Sequence, residues 1–259
     1  QARGDGIKAV VEKTPGFYDM VACSGGDGTL DEVVTGMMQC EEKLPVGYVP
    51  AGSTNDFAGS LHIPKNMAKA ARIIVEGRDF ACDIGRFNHD FFVYIAAFGI
   101  FTDVSYETRQ DVKNVLGHMA YILEGMKRIS GIQSYSMRVE CNSQVIEGDF
   151  IFGMITNSTS VGGFKRITGK YVQLDDGEFE VTLIKRPSNP MELNTIMAAL
   201  LSQNINTDLM YCFKASSLRF ESGEEVAWTL DGEFGGRHSE VEIENLRQAM
   251  SIRVPDNMQ

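Results

Sequence analysis

The sequence predicts two domains of different class: an N-terminal α/β domain built on a parallel sheet, and a C-terminal antiparallel β-sandwich. Up to about residue 84, short apolar strands alternate with helical patterns, which is typical of a parallel sheet with helices on its faces. Beyond it strands become frequent, and two long helical patterns interrupt them. Two glycine-containing loops follow strands of the first part. In such sheets ligands bind at the carboxyl ends of the strands.

The N-terminal elements follow from apolar runs and helix-start signals. Phe17–Cys23 and Pro45–Val49 are predicted strands, and the apolar residues of 30–38 recur at helical spacing. Asn66 is a suitable cap for a second helix, Met67–Glu76, which the following glycine would end. Open doubly wound sheets normally carry strands before such a glycine loop, so we expect that the first strand is missing from this sequence.

The C-terminal part is predicted to consist mainly of strands joined by turns. The predicted strands are Phe91–Ala97, Tyr135–Cys141, Val145–Thr156, Phe179–Lys185, Leu209–Glu221 and Val226–Leu230. Asn142 and Ser143 form a predicted hairpin turn between two of them. Helices are predicted over Leu116–Ile129 and Met191–Ser202, and Pro190 suits the first turn of the second helix. The pattern favours a sandwich.

Composition and charge argue against several classes of protein. The chain has 259 residues and a formal net charge of −11, which argues against nucleic acid as a partner because phosphate backbones need a basic face. The longest apolar run, Phe91–Phe101, is too short to span a bilayer. The five cysteines and four histidines are scattered without metal-ligand spacing. This predicts core thiols in a reducing cytoplasm rather than disulfides or a zinc site.

The string SGGDGTLDEVV, residues 24–34, carries the first functional signal. Its glycines let the backbone approach a ligand, and the following helix adds the positive end of its dipole. Both effects suit phosphate. Asp27 would repel a bare phosphate unless a cation stood between them, and Mg²⁺ commonly bridges carboxylates to nucleotide phosphates. The Walker string and the protein-kinase catalytic loop are absent from the sequence.

Three motifs in order along the chain carry a family resemblance: GGDGT (Gly25–Thr29), PAGSTNDFA (Pro50–Ala58) and LDGE (Leu230–Glu233). Together they resemble the diacylglycerol kinase catalytic family, which includes the sphingosine and ceramide kinases, over essentially the whole chain. GGDG alone is shared with NAD kinases and phosphofructokinases, whereas the second motif separates the lipid kinases from them. The resemblance implies a nucleotide domain over 1–84, a sandwich domain over 85–250, an active site in the cleft between them, and a tail of about 251–259 that returns to the first domain.

The resemblance also implies a nucleotide and metal site. The loop residues that would hold the ATP phosphates are Gly25, Gly26, Asp27, Gly28 and Thr29. The nucleotide side would be lined by Ser53, Thr54 and Asn55. Asp27 and Asp56 would hold Mg²⁺ through waters, with Asp83 as a further acid of that network. A second, structural Mg²⁺ would be held by the Asp176 side chain and the backbone carbonyls of Gln173 and Glu178.

LDGE supplies the predicted catalytic base, because a carboxylate near an acceptor hydroxyl can take its proton as the phosphoryl group transfers. Glu233 is the preferred candidate, and Asp231 would orient it or take its place. In a strand, the spacing of two residues would put both side chains on one side. A β-turn at Asp231–Gly232 would be compatible with either role.

The function implied by the resemblance is Mg-ATP-dependent phosphorylation of a lipid hydroxyl, with diacylglycerol as the preferred acceptor. A lipid acceptor predicts a cytoplasmic enzyme that associates peripherally with a membrane surface and needs no transmembrane segment. The sequence leaves open whether the enzyme forms a homodimer. Two alternatives remain. One is an NAD kinase-like enzyme with a soluble substrate, and the other is a lipid- or nucleotide-binding regulator without catalysis.

Overall fold

The computed structural model describes residues 4–13, 16–100, 131–142, 144–161, 164–165, 172–202 and 207–258. Its helices are α1 (Asp5–Lys13), α2 (Asp27–Met38), α3 (Asp56–Ser60), α4 (Met67–Glu76) and α5 (Pro190–Ser202). Its strands are β1 (Val21–Gly25), β2 (Val46–Pro50), β3 (Arg78–Phe87), β4 (Asp90–Phe92), β5 (Ile95–Gly99), β6 (Tyr135–Cys141), β7 (Gln144–Thr156), β8 (Ser160–Val161), β9 (Phe164–Lys165), β10 (Phe179–Lys185), β11 (Met210–Ala215), β12 (Ser217–Leu230) and β13 (Glu233–Val254).

Most strands belong to one extended system in the order β1-β2-β13-β12-β5-β7-β10-β11, with β3 and β4 branching from β13, and β6 joining β12 to β7. β1 and β2 are parallel from Val21 opposite Val46 to Gly25 opposite Pro50. β13 joins β2 in parallel where Ile252 faces Val46. The C-terminal strands pair antiparallel. β13 is therefore the physical link between the N-terminal part and the sandwich.

The N-terminal part packs helices α2 and α4 against β2 and the end of β13. Leu30, Val34 and Met37 are buried on one face of α2, and Tyr48 and Ile252 are buried in the same apolar cluster. Each such side chain contributes about 1.5–3 kcal/mol relative to an exposed position. This packing fixes the direction of α2 and, with it, the glycine loop at its start.

An aromatic cluster around Trp228 forms the centre of the sandwich. Its ring centroid lies 5.1 Å from that of Phe87, 4.8 Å from Phe98 and 5.2 Å from Phe220. Tilted and edge-on pairs at these distances are favourable beyond the area they bury. Because Trp228 lies on β12, the cluster anchors the β12–β13 hairpin that carries the LDGE motif.

Several predicted elements are confirmed. Helix α4 spans Met67–Glu76, and the Asn66 side chain caps it by accepting a hydrogen bond from the Lys69 N–H at 3.0 Å. Strands β6 and β10 have the predicted bounds, and α5 begins one residue earlier than expected, at Pro190. Cys141 faces Gln144 across the predicted hairpin turn. The predicted helix over 116–129 lies outside the described residues.

Several strand predictions are wrong in detail. The first strand begins at Val21 because its pairing with β2 begins there, and Phe17 is 90% exposed before it. The strand predicted over 91–97 is two strands, since the N–H groups between them bond to the Asp231 carboxylate. The strand predicted over 209–221 is divided at Ser216, where the chain moves from pairing with β10 to pairing with β13 and β6. The strand predicted over 226–230 is the end of β12 and not a separate strand, and strands β3, β8, β9 and β13 were not predicted.

Among the described residues, none of the helices has both the length and the apolar character needed to cross a bilayer.

Candidate active site

The GGDGT loop is a one-residue connection between β1 and α2. Gly25 ends the strand and Asp27 begins the helix. The Gly25 carbonyl accepts hydrogen bonds from the Ala51 N–H at 2.7 Å and from the Tyr48 hydroxyl at 3.2 Å. A Cβ at Gly25 would lie 2.4 Å from Thr29 Oγ1, so a side chain there would displace Thr29. The loop leaves the first turn of α2, with its positive dipole end, facing outward.

The second motif packs directly on the first. The Asn55 side chain accepts the Gly52 N–H at 2.9 Å and donates to the Gly52 carbonyl at 2.7 Å. Asn55 is buried and has a left-handed φ of 55°, a conformation that asparagine tolerates better than most residues. It therefore shapes the loop from within, whereas Ser53 and Thr54 are exposed on it.

Gly52 marks the contact between the two loops. A Cβ there would lie 2.5 Å from Gly26 Cα and 2.9 Å from Asn55 Oδ1. We expect Gly52→Ala to push the loops apart and reduce catalytic efficiency on the order of 10²-fold, because a displacement of about 1 Å can have that effect on a catalytic site. Gly59→Ala is the matched control, since a Cβ at Gly59 meets nothing within 4 Å. Equal kinetics for the two variants would contradict this role of the contact.

Asp27 and Asp56 come together beneath this contact. Asp27 Oδ2 accepts the Asp56 N–H at 3.3 Å, whereas Asp27 Oδ1 is buried with no hydrogen-bond partner among the described residues. Burial first, and then the charge of Asp56, raise the pKa of Asp27, while the N–H groups at the start of α3 oppose the rise. The site therefore holds concentrated negative charge with one unused oxygen.

This arrangement fits Mg²⁺ at Asp27 and Asp56. A buried carboxylate oxygen without a donor suits a cation or a cation-bound water. The described residues contain no group of three or more acidic, histidine or cysteine side chains placed to hold a metal. Mg²⁺ commonly takes one or two carboxylates and completes its shell with water and phosphate. The two aspartates would supply the protein's share of such a shell.

Glu233 lies above the glycine loop. Its Oε1 is 3.7 Å from the position that a Cβ on Gly28 would occupy, and its side chain is exposed. The two-residue turn Asp231–Gly232 precedes it, with φ of 50° and 87°, so Leu230 faces Glu233 across the hairpin. The expectation that Asp231 and Glu233 share one side of a strand is therefore wrong, because the chain reverses between them.

The side chain of Asp231, the first residue of this turn, is buried. Its carboxylate accepts the N–H groups of Val93, Tyr94 and Ile95 at 2.5, 2.9 and 2.9 Å. Burial raises its pKa to about 6, and these three donors oppose the rise. A carboxylate that already accepts three backbone donors holds the turn in place, and the exposed acid that it presents is Glu233.

A cavity of about 820 Å³ opens beside the loop. Gly26, Gly28 and Thr29 line it together with Glu233 and two acids that the sequence predictions missed, Asp31 and Glu32. Its volume is within the usual range for small-molecule sites. Asp31 could have been found from its spacing, since a residue four positions after Asp27 lies on the same face of the helix.

Asp83 is placed in a different part of the site. Its carboxylate accepts the Gly177 N–H and the Gln248 N–H, both at 2.7 Å. Gln248 has a φ of 51° at an irregularity of β13. Asp83 is fully buried, and its burial raises its pKa. These bonds tie β3 to β13 and to the loop that carries Asp176.

The acids around Asp176, where the resemblance implies a structural Mg²⁺, already hold the cationic group of a lysine. Lys214 Nζ lies 2.6 Å from Asp176 Oδ2 and 3.3 Å from Glu180 Oε1. The other oxygen of Asp176 accepts the Glu178 N–H at 3.0 Å. An ammonium group thus occupies the position of a cation between two carboxylates, and Glu180 is only 7% exposed. The ligand set of Gln173, Asp176 and Glu178 remains a prediction.

Lys214→Met tests which cation this cluster needs. We expect a loss of about 1–3 kcal/mol in the free energy of unfolding, because a buried carboxylate is left unpaired. The free energy of unfolding of the wild type, measured by urea denaturation, should be the same in Mg²⁺ and in EDTA. Lys43→Met, at an exposed position, is the control for loss of charge alone. A marked fall of wild-type stability in EDTA would show that a divalent ion holds the loop.

Comparisons with known proteins agree with this architecture. Residues 1–87 match the family described as the diacylglycerol kinase catalytic domain, and residues 96–252 match the YegS C-terminal NAD kinase β-sandwich-like domain. A diacylglycerol kinase of Staphylococcus carnosus (strain TM300) is 33% identical over 242 residues, which cover 93% of this chain and 78% of the relative. One of Bacillus subtilis (strain 168) is 31% identical over 234 residues, covering 90% of this chain and 77% of that protein.

A solved structure extends the agreement to the fold. The crystal structure of a diacylglycerol kinase from Bacillus anthracis str. Sterne superposes with a TM-score of 0.75 at 22% identity, covering 98% of this chain and 82% of that one. At this identity the likeness concerns the fold alone. The family matches and the identity to curated relatives, taken with the three motifs and their contacts, show that the chain belongs to the diacylglycerol kinase family of lipid kinases.

Proposed function

We propose that the protein transfers the γ-phosphoryl group of Mg-ATP to a lipid hydroxyl, with diacylglycerol as acceptor and phosphatidic acid as product. The observation that carries the proposal is the placement of Glu233 over the glycine loop, which also carries Asp27 of the Asp27–Asp56 pair. An acid that can accept a proton and the N-terminal turn of α2 thus line one cavity, and Asp27 of the carboxylate pair belongs to that same turn.

Each group has a separate part in the chemistry. The outward N–H groups at the start of α2 would bind phosphate oxygens, since a helix N-terminus favours an anion. Asp27 and Asp56 would hold Mg²⁺, which when bound offsets the negative charge of the phosphates. Glu233 would take the proton of the acceptor hydroxyl as the new phosphorus–oxygen bond forms and the bond to ADP breaks. Asp231 would keep Glu233 in place.

A lipid acceptor is favoured by the surroundings of Glu233. Its neighbour in sequence, Phe234, is 57% exposed. Tyr18, also exposed, lines the cavity that Glu233 lines. Exposed aromatic side chains beside the candidate base suit an acyl chain, whose burial contributes about 0.8 kcal/mol per CH₂. The relatives reported above are named diacylglycerol kinases. We therefore propose peripheral docking on the cytoplasmic face of a membrane.

The first test separates a lipid from a soluble acceptor. ADP release is measured with Mg-ATP and either diacylglycerol in mixed detergent micelles or NAD in solution. We expect ADP release that depends on diacylglycerol, while NAD adds nothing to the background. NAD is the informative competitor because the C-terminal match is to an NAD kinase-like sandwich. Stimulation by NAD and none by diacylglycerol would overturn the assignment of the acceptor.

A further inference from the structure

The turn that presents Glu233 makes a second contact, to helix α2. The carboxyl group of Asp31 lies within hydrogen-bonding distance of the carboxyl group of Asp231. Asp31 Oδ1 is buried and has no N–H or O–H partner among the described residues. Two carboxylate anions in contact repel one another, so the contact requires a proton between them.

The proton belongs on Asp31. Asp231 accepts three backbone N–H groups, and such donors favour the ionised form of a carboxyl group. Asp31 Oδ1 has no such donor among the described residues. Burial first, and then the charge of Asp231, raise the pKa of Asp31 well above its ordinary value. Asp31 is therefore the donor of the pair and Asp231 the acceptor.

The surrounding charges favour the same arrangement. Glu32 and Glu233 face Asp31 as well, and both raise its pKa. Asp5 of α1 lines the same cavity. Among the described residues that line this cavity there is no lysine or arginine. With negative charge on each side, a neutral Asp31 is the form that the site favours.

We propose that Asp31 is a positioning residue that works as a neutral carboxylic acid, donating its O–H to Asp231 and so fixing the turn that holds Glu233 over the glycine loop. The catalytic part of this proposal rests on the proposed function, because it takes Glu233 as the base. Asp31 itself touches no substrate in this account. It connects the helix that begins at the phosphate loop with the hairpin that carries the base.

The pH dependence has a definite sign. Because folding raises the pKa of Asp31, its contribution to stability is complete at acid pH and is lost as the pH rises through the folded-state pKa. Above that pH, two facing carboxylates would repel each other and loosen the turn. Wild-type kcat should therefore fall on the alkaline side, at a pH where the fold as a whole persists.

Two variants of Asp31 separate the effect of its proton from the effect of its side-chain packing. Asp31→Asn keeps the size and gives an amide N–H donor that does not titrate, so the alkaline fall in kcat should be absent. Asp31→Leu is of similar size and has no donor, and kcat should drop by about 10²-fold with the KM for ATP unchanged. Asp208→Asn, an exposed acid elsewhere in the chain, is the control and should keep the wild-type profile.

An infrared measurement tests the pairing without reference to activity. One carbonyl band of a protonated carboxylic acid that the wild type shows at neutral pH should be missing from the spectrum of Asp31→Asn. Equal bands in both proteins would overturn the proton assignment, and an Asp31→Asn variant as slow as Asp31→Leu would overturn the positioning role. If the wild type phosphorylates no acceptor, the proposed function and the catalytic part fail together, whereas the infrared band still decides the protonation of Asp31.

Discussion

Replacing Asp27 with Asn is expected to lower kcat by about 10²- to 10³-fold, the usual effect of removing one charge-stabilising group from an active site. The carboxylate lies beneath the contact of the two motif loops, with one oxygen unused. An amide of the same size keeps an oxygen acceptor for the Asp56 N–H but removes the charge that would attract Mg²⁺. The measurement is steady-state phosphoryl transfer at saturating Mg-ATP.

The structural effect of Asp27→Asn should be small. Its thermal unfolding midpoint should stay near that of the wild type, because the burial and the hydrogen bond to α3 are kept. Asp208→Asn serves as the control for loss of one exposed acid. Wild-type turnover in Asp27→Asn would exclude the metal role of this residue, and a large fall in the unfolding midpoint would assign the lost activity to the fold instead.

Replacing Glu233 with Gln is expected to lower kcat by about 10²- to 10⁴-fold, the usual contribution of a general base. Glutamine keeps the shape of the side chain but cannot take the hydroxyl proton at neutral pH. The KM for ATP should be unchanged, since the outward N–H groups of α2 and the two aspartates remain. Because Glu233 is exposed, the free energy of unfolding of the variant should differ from that of the wild type by no more than about 0.5 kcal/mol.

Asp231→Asn distinguishes the base from the residue that holds it. Three backbone donors would lose their anionic acceptor, so we expect a loss of about 1–3 kcal/mol in the free energy of unfolding. Glu225→Gln, at an exposed position of β12, is the control for a neutralised glutamate. Near-normal kcat in Glu233→Gln, together with stable but inactive Asp231→Asn, would reverse the assignment of the base.

Local signals account for what the sequence predicted well. Helix α4 has an asparagine cap, a regular apolar face and a glycine after its last residue, all within a dozen positions. The GGDGT loop lies between an apolar strand and a helix, and the structure has that order. The contact between this loop and the second motif needs only two neighbouring parallel strands, whose carboxyl ends meet at one edge.

Long-range contacts account for the features of the structure that the sequence did not predict. The chain breaks between β4 and β5 because its N–H groups bond to Asp231, a residue that lies more than a hundred positions further on. Lys214 meets Asp176 through the pairing of β10 with β11, which no short motif encodes. The Asp31–Asp231 contact joins the first motif to the third in the same way. Such pairings depend on the assembled sheet and leave no local pattern.

Labelled phosphate transfer tests the central claim most directly. The protein is incubated with γ-³²P-ATP, Mg²⁺ and a panel of lipids that includes diacylglycerol and sphingosine, and the extracted lipid is separated and counted. We predict label in phosphatidic acid from the wild type, a severe loss of it in Asp27→Asn and Glu233→Gln, and little label in the other lipids. Binding of ATP and diacylglycerol by the wild type without any labelled lipid would contradict the account and favour a regulator without catalysis.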